Sequence, residues 1–455
     1  MEFKKLPLLP AIFTLFGSCH LSHAQSVTVY YPNWATYSAN YQPSDIPVEY
    51  IDKIIYAFAQ VGNCAPPYAT TSNPTLCNAS NPDIGYFKGI QDYKLYSTDP
   101  YADFNKIPND YYHPGDWDGG KGIIGEVLST GKPVLLSVGG WSLSVPLFEA
   151  MDNNHRDGFV QSIVSFFEQV TADTGKKFSG IDIDWEPNEN SWSFVNTSSG
   201  VQQLQYYLDL IKAIKAALPE GQNFVGIAAP ASPSVINNVN TVYPGFWKSM
   251  SEEVNIINVM SYDYHGVWDI GQTTNFNAAL YYDPAQPQNT TGRETFNAQA
   301  TIDTYISAGV APSKMNLGIP AYGRTYAGVN VGESSKKGLY QAFDGAAKTP
   351  SGNGTLQYTE IMQNAGGFIW EITQNYDAGQ ASAYDSTNKV FITFDNPASV
   401  INKSIFANNK GLYGVMLWDI SGDYKVGDIN FSTGSLVKAA KDSLSAPPYL
   451  IYTKE

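Results

Sequence analysis

The segment Phe178-Ser179-Gly180-Ile181-Asp182-Ile183-Asp184-Trp185-Glu186 alternates acidic side chains with large apolar ones. Residues two positions apart on a β-strand share a face, so a strand here would point its three carboxylates one way and its apolar side chains the other. Carboxylates spaced about 7 Å apart on one strand repel one another when all are ionised, so we expect at least one to hold a proton near neutral pH. A carboxyl group kept protonated in this way indicates an acid–base catalytic site.

Two other interpretations of this segment are an ordinary amphipathic strand with its acids in water and a calcium site. A solvated strand rarely carries three acids on one face beside Trp and Ile, and calcium ligands usually lie on a flexible loop. The pattern therefore favours catalysis, and we expect neither a metal ion nor a cofactor.

Short apolar runs recur along the chain, and helical segments separate them. Apolar side chains repeat at helical spacing from Phe159 to Val170 and again from Leu204 to Leu218. This alternation predicts an α/β fold of parallel strands joined by crossover helices, and eight strands is the number in a (β/α)8 TIM barrel. The eight runs are Val27 to Tyr31, Ile54 to Phe58, Pro133 to Val138, Gly180 to Trp185, Phe224 to Ala229, Val254 to Tyr262, Met315 to Tyr322 and Leu412 to Trp418.

Two stretches interrupt this alternation. Residues 62–118 are rich in Asn, Pro, Tyr and Asp, which predicts a long loop after the second strand. Residues 326–394 separate the seventh and eighth runs by more than one helix requires, which predicts a small α+β insertion domain. The barrel would then comprise residues 25–325 and 395–445, and residues 446–455 would form a short C-terminal tail.

The N-terminal residues have the pattern of an export signal. A positive start from Met1 to Lys5, an apolar stretch from Leu6 to Gly17 and the small-residue cleavage site Ser22-His23-Ala24 predict a signal peptide over residues 1–24. We therefore expect a secreted, extracellular protein. A lipid-attachment site at Cys19 is the alternative, although the residues before this cysteine match such a site poorly.

The cysteines are consistent with export. Cys19 would leave with the signal peptide, and Cys64 and Cys77 would remain as an even number in an oxidising compartment, which predicts a disulfide between them. The alternative is two unpaired thiols. Metal binding is implausible here because few of the five histidines lie near either cysteine in the sequence.

Charge and composition narrow the class of partner. The formal net charge is −15 and the sequence contains no Lys/Arg-rich run, which argues against nucleic acid. No apolar run after the signal is long enough to span a bilayer. Aromatic residues make up 14% of the chain, and flat rings suit stacking on sugars, although a Tyr-rich surface would give the same percentage.

The acidic segment resembles the D-G-x-D-x-D-x-E signature of glycoside hydrolase family 18, the chitinases and their relatives. Five further segments are similar to elements of that family and occur in the same order along the chain. They are Tyr30-Tyr31-Pro32-Asn33-Trp34 on the first strand, Ser137-Val138-Gly139-Gly140-Trp141 on the third, Met260-Ser261-Tyr262-Asp263-Tyr264 on the sixth, Tyr322-Gly323-Arg324 before the insertion, and Met416-Leu417-Trp418 on the eighth.

The chain departs from the family pattern at two positions. Ser179 stands where the family usually has Asp, and Pro187 follows Glu186 where an aromatic residue is usual. The first departure puts the rate or the pH optimum in doubt more than the type of reaction. The second changes the wall near the point of cleavage.

The resemblance implies a chitinase that hydrolyses β-1,4-N-acetylglucosamine linkages with retention, using the 2-acetamido group of its substrate as the nucleophile. Glu186 would protonate the leaving oxygen and later activate water. Asp184 would bind the acetamido N–H and stabilise the oxazolinium ion, and Asp182 would share a proton with Asp184. Tyr262 would hold the acetamido carbonyl.

The remaining matched residues would bind the substrate or support the acids. Trp418 would form the floor under the reacting sugar, and Ser137 and Tyr31 would support Asp182 at the substrate site. The other expected contacts to substrate are Met260, Asp263, Arg324, Trp141 and Trp268. Core packing is the alternative for each tryptophan, and a packed barrel tyrosine is the alternative for Tyr262.

Two other functions remain possible on the same resemblance. One is an endo-β-N-acetylglucosaminidase that acts on N-glycan cores, and the insertion favours a chitinase over it because such an insert deepens the groove for a polymer. The other is a non-catalytic chitin-binding lectin, which typically lacks the catalytic acid that Glu186 supplies here. The expected partner is chitin or a chito-oligosaccharide, and we expect a monomer.

Overall fold

The computed structural model describes residues 25–62, 92–105, 122–187, 199–332 and 336–446. The predicted signal peptide, the tail after residue 446, and both Cys64 and Cys77 lie outside these residues. Neither the signal peptide nor the disulfide is therefore addressed by the structure.

Within the described residues, eight parallel strands close into a barrel, because the first strand pairs with both the last and the second. This confirms the predicted TIM-barrel fold. A short antiparallel strand, β3 (Leu95–Ser97), extends the sheet beside the second strand. The barrel strands are β1 (Ser26–Pro32), β2 (Lys53–Val61), β4 (Val134–Gly139), β5 (Gly180–Asp184), β6 (Phe224–Ala229), β7 (Ile256–Val259), β8 (Met315–Pro320) and β15 (Gly414–Trp418).

Helices cover the outside of the barrel and bury their apolar faces on it. In α3 the buried side chains include Phe159, Ile163 and Phe166, which recur three or four residues apart on one face. Each such side chain contributes about 1.5–3 kcal/mol when removed from water. The helices are α1 (Gly122–Leu128), α2 (Ser144–Ala150), α3 (Arg156–Thr174), α4 (Gly200–Ala217), α5 (Pro233–Val242), α6 (Phe246–Glu253), α7 (Ala298–Ser307), α8 (Tyr358–Met362), α9 (Pro397–Lys410), α10 (Phe431–Gly434) and α11 (Leu436–Ser445).

A second, antiparallel sheet lies between β8 and β15 in the chain. It begins at Tyr322, four residues before the predicted boundary at 326, because the seventh apolar run is two strands: β8 ends at Pro320 and β9 starts at Tyr322. The strands of this sheet are β9 (Tyr322–Ala327), β10 (Gly345–Ala346), β11 (Thr355–Gln357), β12 (Glu371–Asn375), β13 (Gln380–Asp385) and β14 (Val390–Phe394).

The barrel interior is filled by side chains. A cluster that includes Tyr30, Ile55, Leu135, Ile256 and Met416 packs inside the ring of strands, separate from the larger core between strands and helices. The interior is therefore closed to a ligand at this level, and the accessible polar groups lie near the carboxyl ends of the strands, as is usual for this fold. No helix in the described parts of the chain has the length and apolar character needed to cross a membrane.

Candidate active site

The acidic strand β5 turns its carboxylates into the barrel. Asp182 and Asp184 are 0% and 4% exposed, and Glu186 follows two residues after the strand, where it is only partly buried. Trp185 points the opposite way and packs between Phe148 and Tyr207, with ring centroids 5.8 and 4.9 Å away. The apolar side chains of the segment thus pack the strand against the helices, and the acidic side chains line the candidate site.

Asp182 is held by three donors. Its Oδ2 accepts from the hydroxyls of Tyr30 and Ser137, both at 2.8 Å, and its Oδ1 accepts from Nδ2 of Asn258 at 3.1 Å. Burial raises the pKa of Asp182 to about 6, and the three hydrogen bonds oppose that rise by stabilising the carboxylate. Asp182 is therefore fixed in one orientation.

Tyr31 does not support Asp182, contrary to the prediction. Its hydroxyl donates to the carbonyl oxygen of Tyr41 at 2.8 Å, and its ring stacks on Tyr56 in the core outside the strands. The neighbouring Tyr30 contacts Asp182 instead, because side chains alternate along β1 and Tyr30 is the one that faces the interior. This alternation could have identified Tyr30 from the sequence.

Asp184 lies between the other two acids. Its Oδ1 is buried and accepts no hydrogen bond from the residues that the structure describes. Burial raises the pKa of Asp184 well above its ordinary value, and the charges of Glu186 and Asp182 raise it further. Asp184 is thus an acceptor without a donor, next to two groups with which it competes for protons.

Glu186 has the environment of a proton donor. Burial raises its pKa to about 7, the charge of Asp263 adds to this rise, and the backbone N–H of Trp141 opposes it by donating to the carboxylate. The backbone N–H of Glu186 donates to the hydroxyl of Ser144 at 2.7 Å. A carboxyl group with a pKa near neutrality is suited to both donating and accepting a proton.

The segment from Ser137 to Trp141 brings that N–H to Glu186. Gly139 and Gly140 have φ values of 113° and 95°, which side chains rarely permit. A Cβ at Gly139 would collide with the carbonyl oxygen of Asp184, and one at Gly140 would meet the ring of Phe58 at 2.9 Å. The N–H of Gly140 donates to that same Asp184 carbonyl at 2.8 Å. Both glycines are required so that the loop can lie against the end of β5.

Tyr262 lies beside the acids, but not on a strand. The strand β7 ends at Val259, three residues before the end of the predicted run at Tyr262, and the N–H of Tyr262 donates to the carbonyl of Met260 at 2.7 Å in a turn. Both side chains are partly exposed. Burial raises the pKa of Tyr262 well above its ordinary value, and the neighbouring acid charges raise it further, so its hydroxyl stays protonated and able to donate.

Asp263 and Arg324 contact each other. Nε and Nη2 of Arg324 donate to the two carboxylate oxygens of Asp263 at 2.7 and 2.6 Å, and Nη1 donates to Thr355 at 2.8 Å. The guanidinium carbon lies 5.1 Å from the ring of Trp268, which is 50% exposed. Asp263, Arg324 and Trp268 thus connect the loop after β7 to the second sheet and line the site beside Glu186.

An aromatic floor lies across the barrel opening. Trp418 stacks on Phe58 with ring centroids 5.7 Å apart, and Trp34 lies 6.4 Å from Trp418 and is 44% exposed. Trp141, 60% exposed, stands at another part of the rim. Trp34, Phe58 and Asn258 have no role predicted from the sequence, although Trp34 lies in a segment that resembles the family and Asn258 is two residues before Met260.

No group of three or more His, Cys, Asp or Glu side chains suited to a metal ion occurs among the described residues.

The comparison with protein families agrees with this arrangement. The model of glycosyl hydrolases family 18 matches residues 26–423. This chain belongs to glycosyl hydrolase family 18. The match includes the acidic strand, the loop that donates to Glu186, the insertion and the eighth barrel strand.

Several family 18 proteins are similar over most of the chain. Endochitinase 1 of Metarhizium robertsii is 29% identical over 430 residues, which cover 92% of this chain and 85% of that protein. Chitinase A1 of Niallia circulans is 27% identical and covers 91% of this chain and 59% of that protein. Among solved structures, a chitinase of Bacillus thuringiensis is 25% identical with a TM-score of 0.72, over 95% of this chain and 71% of that one. The Group IV chitinase of Ostrinia furnacalis in complex with allosamidin, 23% identical over 92% of this chain and 98% of that one, shares the fold with a TM-score of 0.70.

Proposed function

We propose that this protein is a chitinase that hydrolyses β-1,4-linked N-acetylglucosamine polymers. The observation that carries the proposal is the row of Asp182, Asp184 and Glu186 at the carboxyl end of a barrel strand. The aromatic rings of Trp418 and Trp34 lie at the same end of this family 18 barrel. The relatives named as chitinases match the greater part of this chain and the greater part of their own length. A neutral, stacking substrate suits an acidic chain with exposed tryptophans at the site.

The proposed mechanism begins with proton transfer from Glu186 to the glycosidic oxygen. Its partly buried position and its pKa of about 7 leave a substantial protonated fraction near neutral pH. After the leaving group departs, the same carboxylate takes a proton from water. The N–H of Trp141 would hold that carboxylate in place through both steps.

The nucleophile in this proposal is the 2-acetamido oxygen of the substrate. A protein nucleophile would need a free carboxylate opposite Glu186. Outside the row of three acids, the carboxylate whose charge acts on Glu186 is that of Asp263. Arg324 donates to both of its oxygens, so Asp263 is poorly suited to act as a nucleophile. The unpartnered Oδ1 of Asp184 instead suits an acetamido N–H, and the Tyr262 hydroxyl suits the acetamido carbonyl. The charge of Asp184 would stabilise the oxazolinium ion.

The proposal includes secretion, a disulfide and the remaining substrate contacts. The signal pattern over residues 1–24 supports export, and the pair Cys64 and Cys77 supports a disulfide in an oxidising compartment. Trp418 would lie under the reacting sugar, with Met260, Trp141 and Trp268 as further contacts. Asp263 and Arg324 would contact sugar through the lone pairs and N–H groups that their ion pair does not use.

Activity of the purified protein tests the reaction. We expect reducing ends to be released from colloidal chitin, and we expect Glu186→Gln to lower kcat by about 10² to 10⁴ while oligosaccharide binding is retained, because only the proton donor is lost. Glu168→Gln, on the exposed face of α3, is the control and should leave kcat unchanged. Cleavage of N-glycan cores with chitin left intact would favour the endo-β-N-acetylglucosaminidase, and binding without any cleavage would favour the lectin.

The anomer of the first product tests the mechanism. A nucleophile on the substrate gives the β-anomer, requires the acetamido group at the cleaved sugar and leaves no sugar on the protein. Proton NMR during the first turnovers should therefore show β-product, and fully deacetylated chitosan should not be cut. An α-product, or a glycosyl group trapped on a carboxylate of this chain, would overturn the mechanism.

A further inference from the structure

A buried carboxyl group outside the catalytic row, that of Asp103, is linked by hydrogen bonds to the segments that carry the aromatic floor. Asp103 is 2% exposed and accepts three hydrogen bonds. Its Oδ1 accepts from the Tyr56 hydroxyl at 2.5 Å and from Nδ2 of Asn33 at 3.1 Å, and its Oδ2 accepts from the Ser97 hydroxyl at 2.5 Å. The three donors belong to three different segments: Tyr56 lies within β2, Ser97 ends β3, and Asn33 follows β1.

These segments carry the rings of the floor. Asn33 immediately precedes Trp34, and it also donates to the hydroxyl of Thr98 at 2.9 Å. That hydroxyl donates in turn to the carbonyl oxygen of Phe58 at 2.6 Å. Trp34 and Phe58 have ring centroids 6.0 Å apart, and Phe58 stacks on Trp418. The Asp103 carboxyl group is thus connected, through Asn33 and Thr98, to the backbone that carries Trp34 and Phe58.

The energetics favour a dedicated role for this group. Burial raises the pKa of Asp103 to about 7, and its three hydrogen bonds only partly offset this rise. A buried carboxyl group is a costly way to fill a core position, since an apolar side chain of similar volume avoids the desolvation penalty. A group with several donors from different segments does, however, fix the relative positions of those segments.

We propose that Asp103 is a positioning residue for the polymer-binding part of the site: through Asn33, and through the buried Phe58 that packs against Trp34, it holds Trp34 so that sugars beyond the one over Trp418 have a rigid ring on which to stack. This inference rests on the proposed function. Asp103 contacts neither Glu186 nor Asp184, so it acts on how long chains bind and not on proton transfer. Asp103, its donors Tyr56, Ser97 and Asn33, and Thr98, which accepts from Asn33, form what we call the Asp103 cluster.

The test compares a short and a long substrate. Asp103→Leu and Thr98→Val remove, respectively, the acceptor and the link to Phe58. We expect each to raise the KM for the hexamer of N-acetylglucosamine about tenfold, as expected when roughly one aromatic stacking contact is lost, with kcat changed less than twofold. For a chromogenic N-acetylglucosamine disaccharide, both constants should stay within twofold of wild type. Asp103→Asn keeps Oδ1 as an acceptor for Tyr56 and Asn33, so it should restore most of the hexamer binding.

Asp423 provides a matched control for loss of a buried carboxyl group. It is 2% exposed, its pKa is raised by burial to about 6, and within the described parts of the chain its hydrogen bonds come from residues 424–437. Asp423→Leu should lower the stability of the fold, and it should not raise the KM for the hexamer relative to the KM for the disaccharide.

The outcomes distinguish the two proposals. If both Asp103-cluster variants change hexamer and disaccharide equally, or change neither, the positioning role is wrong even though the enzyme is a chitinase. Thr98→Val replaces a hydroxyl by a methyl group of similar size, so it decides the question if Asp103→Leu does not fold. A wild-type protein that neither binds nor cleaves either substrate overturns the proposed function and this inference together.

Discussion

The three acids at the end of β5, Asp182, Asp184 and Glu186, carry the same functional group at alternate positions, yet their surroundings give them different properties. Asp182 accepts from three donors, Asp184 has one oxygen with no donor among the described residues, and Glu186 is partly buried with one backbone donor. Hydrogen bonds to a carboxylate favour its charged form, and burial without them favours the neutral form. The division of roles therefore follows from what each group contacts.

The pair of Asp263 with Arg324 gives a prediction on the pH profile. The negative charge of Asp263 raises the pKa of Glu186. Asp263→Asn removes that charge and leaves Arg324 unpaired nearby, and both changes stabilise the Glu186 carboxylate, so its pKa falls. Because catalysis requires protonated Glu186, the basic limb of kcat against pH should move to lower pH, and activity should fall most under alkaline conditions.

The measurement is kcat on a soluble oligosaccharide across the pH range. Asp269→Asn is the control, since Asp269 lies on the same loop but bonds to His265 at 2.7 Å and does not act on the pKa of Glu186. A basic limb that stays in place in Asp263→Asn, or that moves equally in both variants, would contradict this account.

At the scale of elements, the loop after β4 decides whether the end of β5 becomes a site. Its two glycines let the chain pass against the Asp184 carbonyl, so that one N–H binds that carbonyl and the next reaches Glu186. A strand of acids without this loop would be a row of buried carboxyl groups with no fixed proton donor.

Gly139→Ala should therefore damage activity more than its size suggests. The new Cβ would collide with the backbone oxygen of Asp184, and φ of 113° is strained for alanine, so the loop must shift. We expect a stability loss of about 1–3 kcal/mol and a fall in kcat of more than about tenfold, the cost of roughly 1.4 kcal/mol in the barrier, as the Trp141 N–H leaves Glu186.

Gly131→Ala is the matched control for backbone strain. Gly131 also has a positive φ, 77°, but a Cβ there meets nothing within 4 Å. It should lose a similar amount of stability in urea unfolding while kcat stays near wild type. If both variants lose stability but neither loses activity, the loop does not position the acid.

At the scale of the molecule, the barrel and the second sheet meet where the chain returns to the barrel. Asp395 directly follows β14, and its carboxylate accepts from Lys403 of α9 at 2.5 Å and from Ser399 at 2.6 Å. Both charged side chains are 0% exposed. This buried pair fixes the start of α9 against the end of the insertion.

Lys403→Met should destabilise the protein by about 3–5 kcal/mol, because it leaves the Asp395 carboxylate buried without its counter-ion. Lys438→Met breaks an exposed pair with Asp442 and should cost less than about 1 kcal/mol. Urea unfolding of both variants measures the difference. Equal, small losses would mean that Asp395 is neutralised by a proton or by its other hydrogen bonds.

Much of the fold followed from local pattern. The spacing of apolar runs predicted eight parallel strands and an inserted unit before the last, because strand and helix periodicities are properties of the chain itself. The same alternation placed Asp182 and Asp184 on one face of β5. Where regular structure ended, this reasoning failed: Tyr262 follows a turn after β7, and the seventh run divides after Pro320.

The sequence by itself thus determined the barrel, the acidic strand and the segments that face it. Only the tertiary structure decided that Asn258 is the third donor to Asp182, that Asp263 and Arg324 bind each other, and that Asp103 connects the chain beneath the aromatic floor. These facts depend on contacts between residues far apart in the chain, such as Asp182 and Asn258, which are 76 positions apart. Such pairs are set by strand register and loop geometry, and neither composition nor spacing within one segment contains that information.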